Sequence, residues 1–206
     1  MKTVLILSVF ASAIVSGRAE PSSRITASNW SGNYTPCSRH DDLLTHTHVD
    51  LAVRFSTVNT ELAGQFARAL QFWSGVLDLD WHEVQSEDCA IQLVDGTPAL
   101  FDFCVCMSAK AHLPDRSDFQ GWVAFNPRMK LTPQEMFFDS VHEIGHLLGL
   151  AHNPSESSVM YYFGTDRAAS LNAADLSTLA ARHQLRSDVA LHKGGVKIIP
   201  ARVVPR

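Results

Sequence analysis

The stretch His142-Glu143-Ile144-Gly145-His146-Leu147-Leu148-Gly149-Leu150-Ala151-His152, with Met160 a short step downstream, decides how this chain is read. Residues four apart on a helix share a face, so His142 and His146 can present two imidazoles to one cation. Glu143 stands beside the first of them, where its carboxylate can reach a water on that cation without ligating it. Gly149 can take the left-handed conformation that ends a helix and turns the chain sharply. That turn lets His152 return as a third nitrogen donor. Three histidines leave one tetrahedral position of a zinc ion to water, which marks a catalytic site and not a closed structural one. The bare H-E-x-x-H pattern is moderate support for this reading. Gly149 and His152 at their offsets make it specific.

Ser158-Val159-Met160-Tyr161 then supplies a methionine after a short loop. With it the stretch resembles the metzincin metalloproteases and, among them, the matrixin (matrix-metalloproteinase-like) branch, in which Met160 would be the Met-turn beneath the zinc. The resemblance implies an α+β catalytic domain. Its parts would be a twisted, mostly parallel sheet with an antiparallel edge strand, a long packing helix, the zinc-binding helix, the Met-turn and a C-terminal helix. It further implies a zinc endopeptidase with one catalytic ion, held by His142, His146 and His152, and with Glu143 as general base. The competing class is a secreted zinc-binding or effector protein that keeps the scaffold without cleaving; the intact ligands and base weigh against it.

The same resemblance extends to shorter echoes. Ala109-Lys110-Ala111-His112-Leu113-Pro114 is similar to the family's edge strand, which would place Ala109, Lys110 and Ala111 along an extended substrate backbone. Phe138 stands where the family has the residue that shapes the S1′ pocket, although a core role fits it nearly as well. Tyr161 matches the Met-Tyr pair of matrixins. Tyr162 occupies the place of a zinc-reaching tyrosine in astacins and serralysins, or else a pocket wall. Gly121 to Asn126 resembles the next strand. Lys110 and Ala124 fall where matrixins carry histidines for a structural zinc, and Asn126 where they carry an acidic calcium ligand. A structural zinc is therefore not expected, and the calcium sites lose a ligand. Asn153-Pro154 also departs from the family, which usually has Ser or Thr after the third histidine.

Outside the motif, the residues bound the organisation. Lys2, the apolar run Val4 to Val15 and Gly17-Arg18-Ala19 read as a secretory signal peptide over 1–19, with cleavage after Ala13 the rival position. No later stretch is apolar enough to span a membrane, so a secreted, extracellular protein is expected. Residues 20–46, rich in Ser, Thr, Asn and Pro, read as a short leader or pro-segment. It carries two glycosylation sequons, at Asn29 and Asn33. A catalytic domain over 47–185 and a basic flexible tail over 186–206 complete the division. The net charge of −4, without a basic run in the body, argues against nucleic acid. A monomer acting on a protein or peptide substrate is expected. The four cysteines Cys37, Cys89, Cys104 and Cys106 suit two disulfides in a secreted chain. Cys104 and Cys106 would point to one face of a strand, which favours bonds from them to Cys89 and Cys37 over a bond between them.

Periodicity supplies the elements. Val49, Leu51, Val53 and Phe55 alternate as a strand with one buried face. Leu62, Phe66, Ala69, Leu70, Trp73 and Leu77 keep helical spacing. Trp81 to Val84, the run Cys89, Ile91 and Leu93, and the run Phe101, Phe103, Val105 and Met107 read as further strands. Thr132, Pro133 and Glu135 open the zinc helix as cap, first position and capping box, and it should run to about Leu148. Leu171 to Asp175 opens a last helix reaching about Leu185. His46 and His48 read as surface residues at the start of the first strand.

Overall fold

Strand β1 (Val49–Ser56) forms the spine of a five-stranded sheet. The computed structural model describes residues 48–85, 91–102, 106–112, 121–161, 170–190 and 195–197. β1 is followed by helix α1 (Thr60–Val76), β2 (Leu79–Glu83), β3 (Ile91–Asp95), β4 (Ala109–His112) and β5 (Trp122–Phe125). The sheet order is β2-β1-β3-β5-β4, parallel throughout except for β4, which pairs antiparallel to β5 at the edge. Val49, Leu51 and Val53 are buried as their alternation requires. Ala52, on the opposite face, is buried too, as suits a strand flanked by parallel partners on both sides.

The Asn59 side chain caps α1 by accepting the Leu62 amide at 3.0 Å. Its apolar stripe, Leu62, Phe66, Ala69, Leu70 and Trp73, is buried as spaced, and Leu77 closes the helix end at 0% exposure. α1 packs on α2 (Pro133–Leu147), and the buried Trp73 indole N–H donates to the carbonyl of Val141 at 3.2 Å. One core joins these two helices to the sheet. No helix among the described residues is long and apolar enough to cross a membrane. These elements are those of the expected α+β architecture.

Three expectations are corrected. The run through Phe101 and Met107 is not a strand at either described end: Pro98–Phe101 is a short 3-10 turn, Cys106 lies in a turn, and Met107 is irregular. Pro98 fixes φ in the helical range at the first position of that turn, which swings Phe101 into the core at 0% exposure. The shared strand face invoked for Cys104 and Cys106 thus has no strand at Cys106, which is exposed. Phe103, Cys104 and Val105 lie outside the described residues, as do Cys37 and Cys89.

The last helix is shorter than its pattern: α3 spans Ala173–Ala180, and Leu185 instead bridges antiparallel to Leu77. The residues between them turn back toward the end of α2, which a continued helix would prevent. Nor is the described part of 186–206 a loose tail. The Arg186 Nε donates to the Leu77 carbonyl at 3.2 Å, and α4 (Ser187–Ala190) buries Val189. Strand β7 (Val196–Lys197) pairs antiparallel with β6 (Ser170–Leu171). Leader residues 20–46 and segment 1–19 lie outside the described residues.

Candidate metal centre

Helix α2 carries the motif and begins as the sequence requires. The Thr132 amide donates to Glu135 Oε2 at 2.6 Å, and the Glu135 amide donates back to Thr132 Oγ1 at 3.3 Å. The Thr132 amide, together with the Thr132 hydroxyl donating to Oε2 at 2.7 Å, holds the Glu135 carboxyl below its usual range. Pro133 follows the cap, where its missing N–H leaves nothing unpaired. The helix ends at Leu147, and Gly149 takes φ 92°, the left-handed turn that redirects the chain toward His152.

That turn assembles the three histidines. Their ligand nitrogens all lie within 4.8 Å of one another, and burial falls from His142 through His146 to the exposed His152 at the rim. His142 Nδ1 is 2.6 Å from the Val159 carbonyl, and His146 Nδ1 is 2.8 Å from the Leu150 carbonyl. A carbonyl can only accept, so each Nδ1 carries the proton and each Nε2 is a bare lone pair. Yet the His142 and His146 Nε2 atoms approach to 3.0 Å, and those of His146 and His152 to 3.2 Å. Lone pairs that close repel unless a cation lies between them. Tetrahedral zinc bonded to nitrogen at about 2.0–2.1 Å separates its donors by roughly 3.4 Å, close to what is observed. A proton is a poor substitute: burial, above all, pushes His142 down to about 4 and His146 to about 3, and it lowers His152 as well. The residues present therefore fit a zinc ion, with the two carbonyls orienting the rings.

Glu143 sits beside this triad at 8% exposure. Burial pushes its carboxyl up to about 8, Asp139 one turn earlier adds to the rise, and a hydrogen bond from the Ala111 amide opposes it. These directions belong to the metal-free pocket; a cation among the histidines would draw the carboxyl back down. The Ala111 contact joins the candidate base to edge strand β4, in which Ala109 is buried and Lys110 and Ala111 are half-buried. Lys110 stands directly opposite Ala124 in the β4–β5 ladder. Asn126 is committed to the fold: its amide donates to the Met107 carbonyl at 2.9 Å and accepts from the Arg128 amide at 3.0 Å.

Beneath the triad lies Met160, at 0% exposure. A Cβ on Gly145 would meet the Met160 sulfur at 2.6 Å and the Trp73 ring at 3.3 Å, so the glycine lets the helix settle on this turn without displacing Met160. The turn is fixed from below by Asp175, which is 3% exposed. Its carboxylate accepts from Ser158 Oγ at 2.7 Å, Asn153 Nδ2 at 2.8 Å and the Asn172 amide at 2.9 Å. Ser158 Oγ in turn accepts the Met160 amide at 3.0 Å, and the Asn153 amide donates to the Met160 carbonyl at 2.8 Å.

Sequence reasoning passed over Gly145, Asp139 and Asp175. A glycine inside a helical run was the one available signal for Gly145. The Asn172-to-Asp175 spacing announces a capping box, which α3 has, but not the reach to Ser158. Phe138 is 1% exposed, with its ring 5.5 Å from that of Phe137 inside the core. Tyr161 is half-buried and bridged to Asn153. Tyr162, Asn29 and Asn33 lie outside the described residues.

Comparison with known proteins agrees with this geometry. The family model for matrixins matches residues 44–183. Matrix metalloproteinase-26 of Homo sapiens is 30% identical over 125 residues, covering 54% of this chain and 47% of that protein. Metalloendoproteinase 1-MMP of Arabidopsis thaliana is 32% identical over 111 residues, covering 47% of this chain and 30% of that protein. The chain spans less than half the length of either relative.

Proposed function

The chain belongs to the matrixin family, and from that premise we propose that it is a secreted zinc endopeptidase in which Glu143 is the general base. The observation that carries this reading is the convergence of three imidazole nitrogens beside a buried carboxylate, itself in contact with an edge strand.

When bound, a zinc ion supplies Lewis acidity at the scissile carbonyl and lowers the pKa of a water in its open position toward about 7. The chain's own residues do the rest. His142, His146 and His152 would hold that one ion. Glu143 takes a proton from the attacking water and returns it to the departing amine, so no covalent acyl-enzyme is required. An extended peptide adds to the outer edge of β4 along Ala109, Lys110 and Ala111, its backbone amides and carbonyls pairing as an extra strand. Tyr161 and Tyr162 are the proposed walls of the side-chain pocket beyond the scissile bond, while Phe138 takes the core role that the sequence also allows.

The test is cleavage of a quenched fluorescent peptide library by metal-quantified protein, run beside Glu143→Ala. The reading predicts cleavage at about one zinc per chain, abolished by chelation. Glu143→Ala should keep the metal and lose turnover by about 10²–10⁴-fold. Full zinc occupancy without cleavage in the native chain would assign a non-catalytic zinc-binding protein instead.

A further inference from the structure

Three consecutive carbonyls follow the zinc helix, and each is taken by a side chain. The Leu148 carbonyl lies 3.0 Å from His183 Nε2, the Gly149 carbonyl accepts from Arg182 Nη1 at 3.0 Å, and the Leu150 carbonyl lies 2.8 Å from His146 Nδ1. Carbonyls at a helix C-terminus have no further backbone amide to accept from, so they need other donors. Two of the three donors come from the turn after α3, and the third is the middle histidine of the triad.

We propose that Arg182 and His183 are positioning residues for the metal site, forming a clamp that fixes the Leu148–Leu150 turn and through it the rings of His146 and His152. The proposal rests on the zinc reading above.

The physical argument begins at Gly149. Its φ of 92° is open to glycine but not enforced by any side chain of its own, so the turn must be held from outside. Within the turn the backbone contributes the Gly149 amide to the His146 carbonyl and the Leu150 amide to the Gly145 carbonyl, both at 2.9 Å. These bonds leave the carbonyls of residues 148 to 150 pointing away, and their directions are set by what they meet. The direction of the Leu150 carbonyl matters most, because His146 orients its ring on that oxygen. His152 lies two residues beyond and inherits any movement of the turn.

The clamp itself is anchored. The amides of Arg182 and His183 donate to the Leu179 carbonyl at 2.9 and 2.8 Å, which tightens the end of α3. His183 is 3% exposed, and Arg182 is half-buried over the glycine carbonyl, its charge partly desolvated. A planar guanidinium in that setting holds one direction better than a flexible ammonium does. Neither side chain is a metal ligand, and neither is expected to touch substrate. Their effect passes entirely through the turn.

The experiment measures zinc affinity by competition with a chromophoric chelator, and the d–d absorption of the cobalt-substituted protein, for Arg182→Met, Arg182→Lys and His183→Phe. Thermal unfolding of the metal-free chains is followed in parallel. Arg182→Met and His183→Phe should weaken zinc binding by about 10–100-fold, the range typical of outer-shell partners, and alter the cobalt spectrum. Arg182→Lys, which keeps a donor, should recover part of both. The clamp is overturned if the native chain binds zinc and the Met and Phe variants match its affinity and cobalt spectrum. It is equally overturned if lost affinity merely tracks lost metal-free stability and Arg182→Lys rescues nothing. Absence of zinc binding by the native chain would overturn the metalloenzyme reading itself, a distinct result.

Discussion

The backbone amide of Ala111 donates a hydrogen bond to the carboxylate of Glu143. The strand proposed to receive the substrate backbone therefore also orients the proposed base, so movement of β4 is felt at the reacting centre. Ala111→Pro deletes this donor at the sheet edge, where proline is tolerated. Because the bond holds the carboxyl down, its loss should displace the acid limb of the pH–rate profile for peptide cleavage to higher pH. Activity near neutrality should fall by about ten-fold, on the scale of one charge-assisted bond. An unmoved acid limb would remove Ala111 from the account.

The metal-free chain should have a stability maximum near pH 6 to 7, read as the midpoint of thermal unfolding after chelation. His142 and His146 are depressed from 6.5 to about 4 and about 3, so their contribution is complete above pH 6.5 and is lost as pH falls toward those values. Glu143 is raised from 4.5 to about 8, so its contribution is complete below pH 4.5 and is lost as pH rises through about 8. Glu143→Gln should flatten the alkaline limb and steepen the rise between pH 4.5 and 6.5, where the two contributions oppose.

Gly145→Ala should destabilise the protein by about 1–3 kcal/mol, the usual cost of overpacking a filled site. The added methyl lands 2.6 Å from the Met160 sulfur, and because Met160 and Trp73 are fully buried, any shift of the thioether is made against packed neighbours. If the contact is the cause, Gly145→Ala combined with Met160→Ala should cost less than the two changes summed. Strict additivity in denaturant unfolding would place the strain elsewhere.

Asp175→Asn should cost about 1–3 kcal/mol although it is nearly isosteric, because the new amide turns a donor toward groups that already donate. Ser158, Asn153 and the Asn172 amide all offer hydrogens to that carboxylate. Loosening of the Met160 turn should appear as faster amide exchange at Val159 and Met160, with α1 unaffected.

What could be read from sequence was local. Thr132, Pro133 and Glu135 define the start of α2 within four residues, and the histidine spacing needs only helical geometry and one glycine. The alternation that places β1 and the stripe that builds α1 are equally short-range. The failures share a different cause. Phe101 and Met107 alternate as strand residues do, but Pro98 turns the chain before they can pair. The helix opened by Leu171 to Asp175 is expected to reach about Leu185, yet it stops at Ala180, and Arg182 and His183 serve carbonyls 33 and 35 positions away. Asp175 reads as a capping residue, and nothing near it in sequence signals Ser158, 17 positions earlier.

The distance between the turn and its donors also sets an order of events during synthesis. All three histidines are synthesised before Arg182 and His183, since the chain grows from its N-terminus at about 5–20 residues per second. Until those two side chains dock, the metal-binding side chains are present while the turn joining them is held by backbone bonds alone. Closing contacts across more than thirty residues is slower than forming the helix itself. Assembly of the triad is thus timed by a part of the polypeptide that contributes no atom to it.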